Sequence, residues 1–116
     1  MDVQPLGLEE RRSRIAAARE ALVGLADVLY EATGPELGEL MSAVDGVAAQ
    51  AAAARVTITV EAVRRGQVAE EGVNAHAWVR DHAPSLRQGG AGDVARVVTA
   101  VVPAGAFRAR RAGHVT

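Results

Sequence analysis

Apolar residues recur at seven-residue intervals through the first half of the chain. The first series predicts a helix from about Leu8 to Ala32, because residues seven apart lie on one face of an α-helix. A second series with the same spacing predicts a second helix, which ends at Gly66. The two stripes consist of Leu8, Ile15, Leu22 and Leu29, and of Leu37, Val44, Ala51 and Ile58. We therefore expect an antiparallel helical hairpin over residues 8–65 in which the stripes face each other.

Glycine and proline mark the ends of these helices. Gly34 is predicted to be the left-handed residue that ends the first helix, and Pro35 suits the first turn of the second. Gly24 weakens the middle of the first helix by up to about 1 kcal/mol relative to alanine. Residues 55–60 alternate β-branched and polar side chains, which is also typical of a strand such as the one in ribbon-helix-helix repressors. We favour the helix, because the heptad spacing passes through Ile58 unbroken.

The second half predicts short helices separated by turns. A polar turn over 67–72 precedes a helix from Ala75 to about Asp81, with Asn74 as its N-cap and Trp78 at its fourth position. Pro84 interrupts the chain before a valine-rich helix, and the Gly89–Gly92 segment leaves the start of that helix open. This region extends over 73–112. The fold class is therefore all-α: a long antiparallel hairpin followed by two or three short helices.

The composition predicts a thin core. The chain has 25 alanines and 17 valines but eight leucines and three aromatic residues, and alanine has little side-chain surface to bury. The apolar face Val94–Val101 is expected to need a covering surface, either a second copy or a partner protein. Val115 and Thr116 look like the entry into another helix, so the chain is either one helical domain, 1–116, or the N-terminal fragment of a larger one.

Charge and residue types exclude several classes of function. All 13 basic residues are arginine and the net charge is −1, so the overall field does not attract nucleic acid. The absence of cysteine excludes disulfides, thiolate nucleophiles and the common zinc sites. Met1–Leu8 does not resemble a signal peptide, and no apolar run approaches the roughly 20 residues that span a bilayer. We therefore expect a cytoplasmic protein without contact with a membrane.

The segment from Gly72 to Ala100 resembles a known family. Gly72, the Trp78–Val79 pair and the His82–Arg87 turn, followed by the valine-rich helix, are similar to domain of unknown function 222. In actinobacterial proteins that domain usually precedes an HNH endonuclease domain. The resemblance implies an accessory region that is truncated before the nuclease part, but it implies no reaction.

The sequence offers no complete catalytic or metal site. An HNH nuclease needs histidine, metal-binding and asparagine side chains around one ion, whereas His76 and His82 are six residues apart and face different sides of a helix. We therefore predict no enzyme activity, no catalytic or metal-binding residues and no cofactor. The adjacent carboxylates Glu70 and Glu71 are interpreted as solvated charges.

Three remaining features have a structural and a functional interpretation. Trp78 is either a core anchor, which we favour, or a stacking platform for a base. The glycines of 89–92 are either a helix entry, which we favour, or a phosphate loop. The flanking residues lack the lysine and the serine or threonine that a phosphate loop needs. The cluster of Arg108, Arg110 and Arg111 is either solvated or in contact with phosphates or a partner.

Together these features predict a non-catalytic accessory or scaffold domain. The alternative is a small helical DNA-binding or antitoxin-like regulator that uses the terminal arginines. A third hypothesis is a truncated reading frame without a function of its own. The sequence specifies no ligand, no nucleic-acid specificity and no oligomeric state.

Overall fold

The structure is a computed structural model that describes residues 5–102. Within this range the chain forms α-helices and 3₁₀ helices and no strand. It divides into two compact units, Met1–Val44 and Asp45–Thr116. The α-helices are α1 (Leu8–Val23), α2 (Gly34–Arg64), α3 (Gln67–Glu70), α4 (Ala75–His82) and α5 (Ala91–Val101), and the 3₁₀ helices are Leu25–Glu31 and Pro84–Leu86. The all-α fold with one long helix and several shorter ones is thus confirmed.

The first unit contains α1, the first 3₁₀ helix and the beginning of α2. The predicted helix from Leu8 to Ala32 is interrupted at Gly24, after which the chain tightens into the 3₁₀ helix Leu25–Glu31. Gly24 lies at this junction because glycine has the lowest helix propensity after proline. The amide of Gly24 still donates to the Glu20 carbonyl at 3.2 Å, so the break is a change of helix type without a reversal of the chain.

The junction before α2 is made by Thr33 instead of Gly34. The Glu36 amide donates to Thr33 Oγ1 at 3.3 Å, and the Thr33 amide donates to Glu36 Oε1 at 2.9 Å. This reciprocal pair is a capping box. Gly34 already belongs to α2 and does not have a positive φ, so its predicted left-handed role is wrong. Pro35 lies in the first turn of α2, where its missing N–H removes no helical hydrogen bond.

The residues of the predicted hairpin seam are largely exposed. Leu8 and Ile15 are 74% and 69% exposed, and Leu37 and Ile58 are 48% and 58% exposed. The expected burial of this seam is therefore wrong. Heptad spacing indicates which residues share a face of a helix, but it does not indicate what covers that face.

Residues 55–60 are helical, so the strand alternative is wrong. Thr57 Oγ1 donates to the Ala53 carbonyl at 3.2 Å, and Thr59 Oγ1 donates to the Arg55 carbonyl at 2.7 Å. These bonds to the preceding turn satisfy the two hydroxyls inside the helix. Thr59 can consequently be buried, at 2% exposure.

The core lies in the second unit. It is formed by Ala62 from α2, Val68 from α3, Val79 from α4, and Ala91 and Val98 from α5, together with Thr59. Helices α4 and α5 pack against each other. The segment 67–72, expected to be a turn throughout, forms one helical turn at Gln67–Glu70, because Val68 is buried in this core.

Glycines with positive φ connect the helices of the second unit. Gly66 (φ 78°) follows α2, Gly72 (φ 74°) follows α3, and Gly90 (φ 96°) precedes α5. A Cβ at Gly90 would lie 2.9 Å from Leu86 Cδ2. Helix α5 begins at Ala91, within the Gly89–Gly92 segment where the sequence left its start open. The last part of the predicted short-helix region, 103–112, with Arg108, Arg110 and Arg111, lies outside the described residues.

Candidate functional site

The only tryptophan of the chain lies in a polar cluster around Glu71. Asn74 fixes the position of this tryptophan: its Oδ1 accepts a hydrogen bond from the Ala77 amide at 2.8 Å and caps α4. Because α4 begins at Ala75, Trp78 and His82 lie one turn apart on the same face of this helix. Their ring centroids are 4.6 Å apart and the ring planes are inclined by 44°.

Glu71 binds side chains from both sides of the turn at Gly72. Its Oε2 accepts hydrogen bonds from Gln67 Nε2 at 2.8 Å and from Trp78 Nε1 at 3.1 Å. Its Oε1 lies 3.2 Å from His82 Nε2. Glu71 thereby connects the end of α3 with the exposed face of α4.

These donors favour the ionised carboxylate. The hydrogen bond from Gln67, followed by those from His82 and Trp78, lowers the pKa of Glu71 from 4.5 to about 2. Glu71 is exposed and charged, as the interpretation of Glu70 and Glu71 as solvated charges predicts, but its carboxylate also binds three side chains, which that interpretation did not include. The adjacency of Glu70 and Glu71 in the sequence could not show that the Glu71 carboxylate contacts side chains of α4. The available signal was the four-residue spacing of Gln67 to Glu71 and of Trp78 to His82.

Trp78 is half-buried, so it is neither a fully buried core residue nor a free stacking platform. One side of the ring system borders a cavity of about 140 Å³. Trp78 and Ile58 also border a more open depression of about 510 Å³, which contains the Glu61–Arg65 ion pair at 2.7 Å. The smaller cavity is lined by Arg55, Ile58, Thr59, Trp78, Val79, His82 and Ala83.

Arg55 is the cationic residue of the smaller cavity. Its Nη2 donates to Ser85 Oγ at 3.3 Å, which connects α2 with the second 3₁₀ helix. Ser85 contributes a hydroxyl and no negative charge. Within residues 5–102, the Arg55 guanidinium forms no ion pair; four of the ten arginines in this range pair with a carboxylate.

The other sequence-predicted positions do not join this cluster. His76 is exposed on α4, while Gly34 and Pro35 belong to the start of α2. In the described part of the chain, no group of three His, Asp or Glu side chains is placed to hold a metal ion. Over the same residues, no helix combines the length and apolar character required to cross a membrane.

Comparisons with family models, characterised proteins and solved structures give no match for this chain. The resemblance to domain of unknown function 222 therefore stays a prediction.

Proposed function

We propose that this chain is a non-catalytic helical assembly domain that associates with a second copy of itself through the apolar face of α1. One observation carries the proposal. No residue of 5–44 is buried, although this segment is helical almost throughout. Isolated helices of this length are marginal in water, because most helix stability in proteins comes from packing of an apolar face.

The exposed side chains supply such a face. Leu8, Ile15 and Leu22 are 74%, 69% and 43% exposed and lie at seven-residue intervals on α1. The same stripe spacing is typical of helices that pair along a narrow seam. Charged residues lie around the rest of α1 and form the ion pairs Glu9–Arg12 at 2.8 Å and Glu10–Arg14 at 3.1 Å. The apolar surface available for pairing is therefore narrow and consists of the three side chains of this stripe.

An accessory role beside a nuclease domain is the biological setting that the family resemblance supports. In that setting, the assembly domain brings two catalytic partners together and contributes no reactive group of its own. The DNA-binding alternative depends on Arg108, Arg110 and Arg111, which lie outside the described residues. We favour assembly because of the exposed apolar stripe on α1.

The test is the mass of the protein in solution. Sedimentation equilibrium of the full chain should give a dimer or higher oligomer at micromolar concentration. Ile15→Glu should shift the protein to the monomer, because it places a charge in the apolar stripe. Ala17→Glu is the matched control, since it adds the same charge to an exposed position of α1 outside the stripe, and it should leave the mass unchanged.

Two results would contradict the proposal. One is a monomeric wild-type protein with a sharp, cooperative melt, because α1 would then need no partner surface. The other is an equal loss of association in both glutamate variants, because the effect would then come from charge alone.

A further inference from the structure

The cavity beside Trp78 combines an apolar interior with one cationic group at its edge. Thr59 and Val79 are buried at 2% and 3% exposure, and the Thr59 hydroxyl is already bonded to the Arg55 carbonyl at 2.7 Å. Ile58, Trp78 and Ala83 provide further apolar surface. The interior therefore offers contact to carbon atoms and not to polar ones.

Arg55 can bind an anion at this edge. A guanidinium has five N–H donors in a planar fork that matches a carboxylate. Within residues 5–102, its side chain donates one hydrogen bond, to Ser85 Oγ. Glu71, the nearby carboxylate of the site, is occupied by Gln67, Trp78 and His82. No carboxylate of residues 5–102 pairs with Arg55, so the site can take a negative charge from a ligand.

The volume limits the size of that ligand. The cavity measures about 140 Å³, and an apolar protein cavity of roughly 150 Å³ accommodates benzene. A six-membered ring or a branched chain of similar size would fill the interior. Larger groups would extend out of the cavity into solvent.

We propose that this cavity binds a small monocarboxylic acid, with its apolar body against Trp78, Ile58 and Val79 and its carboxylate on Arg55. This site does not depend on the assembly proposed above, because its lining residues lie between Arg55 and Ala83, whereas the assembly stripe lies on α1. Binding involves no covalent step.

The single tryptophan allows a direct measurement. Benzoate should change the fluorescence of Trp78 and shift its one indole N–H resonance in a saturable manner. Benzamide has the same ring without the charge, so it should bind at least about tenfold more weakly, because charge-assisted hydrogen bonds are about twice as strong as neutral ones. Equal binding of benzamide and benzoate would overturn the proposal.

Variants separate the two parts of the site. Arg55→Gln should weaken benzoate at least about tenfold, whereas Arg64→Gln, an exposed position of the same helix outside the cavity, should leave it unchanged. Ala83→Leu should abolish binding by filling the cavity, with helix content checked by circular dichroism. An absence of saturable binding up to about 10 mM benzoate, or equal weakening by both arginine variants, would overturn the proposal.

Discussion

Glu71 shows how a single exposed residue can organise two helices. Its carboxylate receives donors from Gln67 on one side of the Gly72 turn and from Trp78 on the other, at 2.8 and 3.1 Å. The His82 ring approaches the second oxygen at 3.2 Å. All three contacts favour the ionised form, so folding and deprotonation of Glu71 are linked.

This linkage predicts a pH dependence. The folded-state pKa of Glu71 is about 2, below the ordinary value of 4.5. A depressed pKa contributes stability above the unfolded value and loses that contribution as pH falls toward the folded value. Glu71→Gln should therefore lower the free energy of unfolding at neutral pH, and the difference from wild type should shrink as pH falls from 4.5 toward about 2. Thermal melts followed by circular dichroism at several pH values measure this.

The neighbouring residue supplies the control for this prediction. Glu70→Gln removes a carboxylate that makes none of the three contacts of Glu71. Its difference from wild type should remain small across the same pH window. A pH profile that is identical for the two variants would show that the cluster does not stabilise the fold.

Sequence reasoning reaches some of these residues and not others. Asn74 was predictable as a cap because capping is local: the side chain and the amide it binds are three residues apart. The role of Glu71 depends on the turn at Gly72, which brings α4 back to the end of α3. Such a contact depends on a backbone direction that composition and spacing do not specify.

At the scale of elements, α5 divides its valines between two environments. Val98 is 1% exposed and belongs to the core with α4, whereas Val97 and Val101 are 48% and 49% exposed. The valine pattern correctly indicated an apolar helix. It did not indicate that the face Val94–Val101 is split between the core and an exposed side.

This division predicts unequal effects of the same substitution. Val98→Ala should reduce the free energy of unfolding by about 1–3 kcal/mol, because it removes buried methyl groups and leaves a cavity. Val97→Ala, the adjacent position, should change it by less than about 1 kcal/mol. Urea unfolding of both variants provides the comparison. Equal losses would indicate that the exposed side of α5 is covered in solution.

The helix interruption at Gly24 illustrates a second limit. The low helix propensity of glycine was visible in the sequence. Its cost of up to about 1 kcal/mol relative to alanine does not by itself determine whether the helix is weakened or broken. Packing normally decides, and none of the residues of α1 is buried. At Gly24, no packing of α1 offsets the low helix propensity of glycine, and the α-helix ends there.

At the scale of the whole molecule, the described core is small. Five apolar residues are buried, all of them alanine or valine, while many larger apolar side chains are exposed. Burial contributes roughly 25 cal/mol per Å² of apolar surface, so small side chains contribute little each. Association would add the apolar surface that the isolated chain leaves uncovered.

Association predicts that thermal stability depends on protein concentration. Anything that binds the folded state raises its stability by mass action, by up to about 1.4 kcal/mol for each tenfold increase in concentration. Calorimetry over two decades of protein concentration should show a rising Tm for the wild type and a constant Tm for Ile15→Glu. A constant Tm for both would contradict the assembly proposal.

The three glycines at the helix junctions have a consequence for the detection of relatives. Cores tolerate apolar exchanges that conserve total volume, so the identities of the buried residues can diverge without loss of the fold. Gly66, Gly72 and Gly90 have φ values between 74° and 96°, a conformation that other residues adopt only with strain. In a diverging lineage these glycines should outlast the apolar pattern. An alignment weighted toward their spacing, more than toward hydrophobic identity, is the search most suited to finding distant homologues.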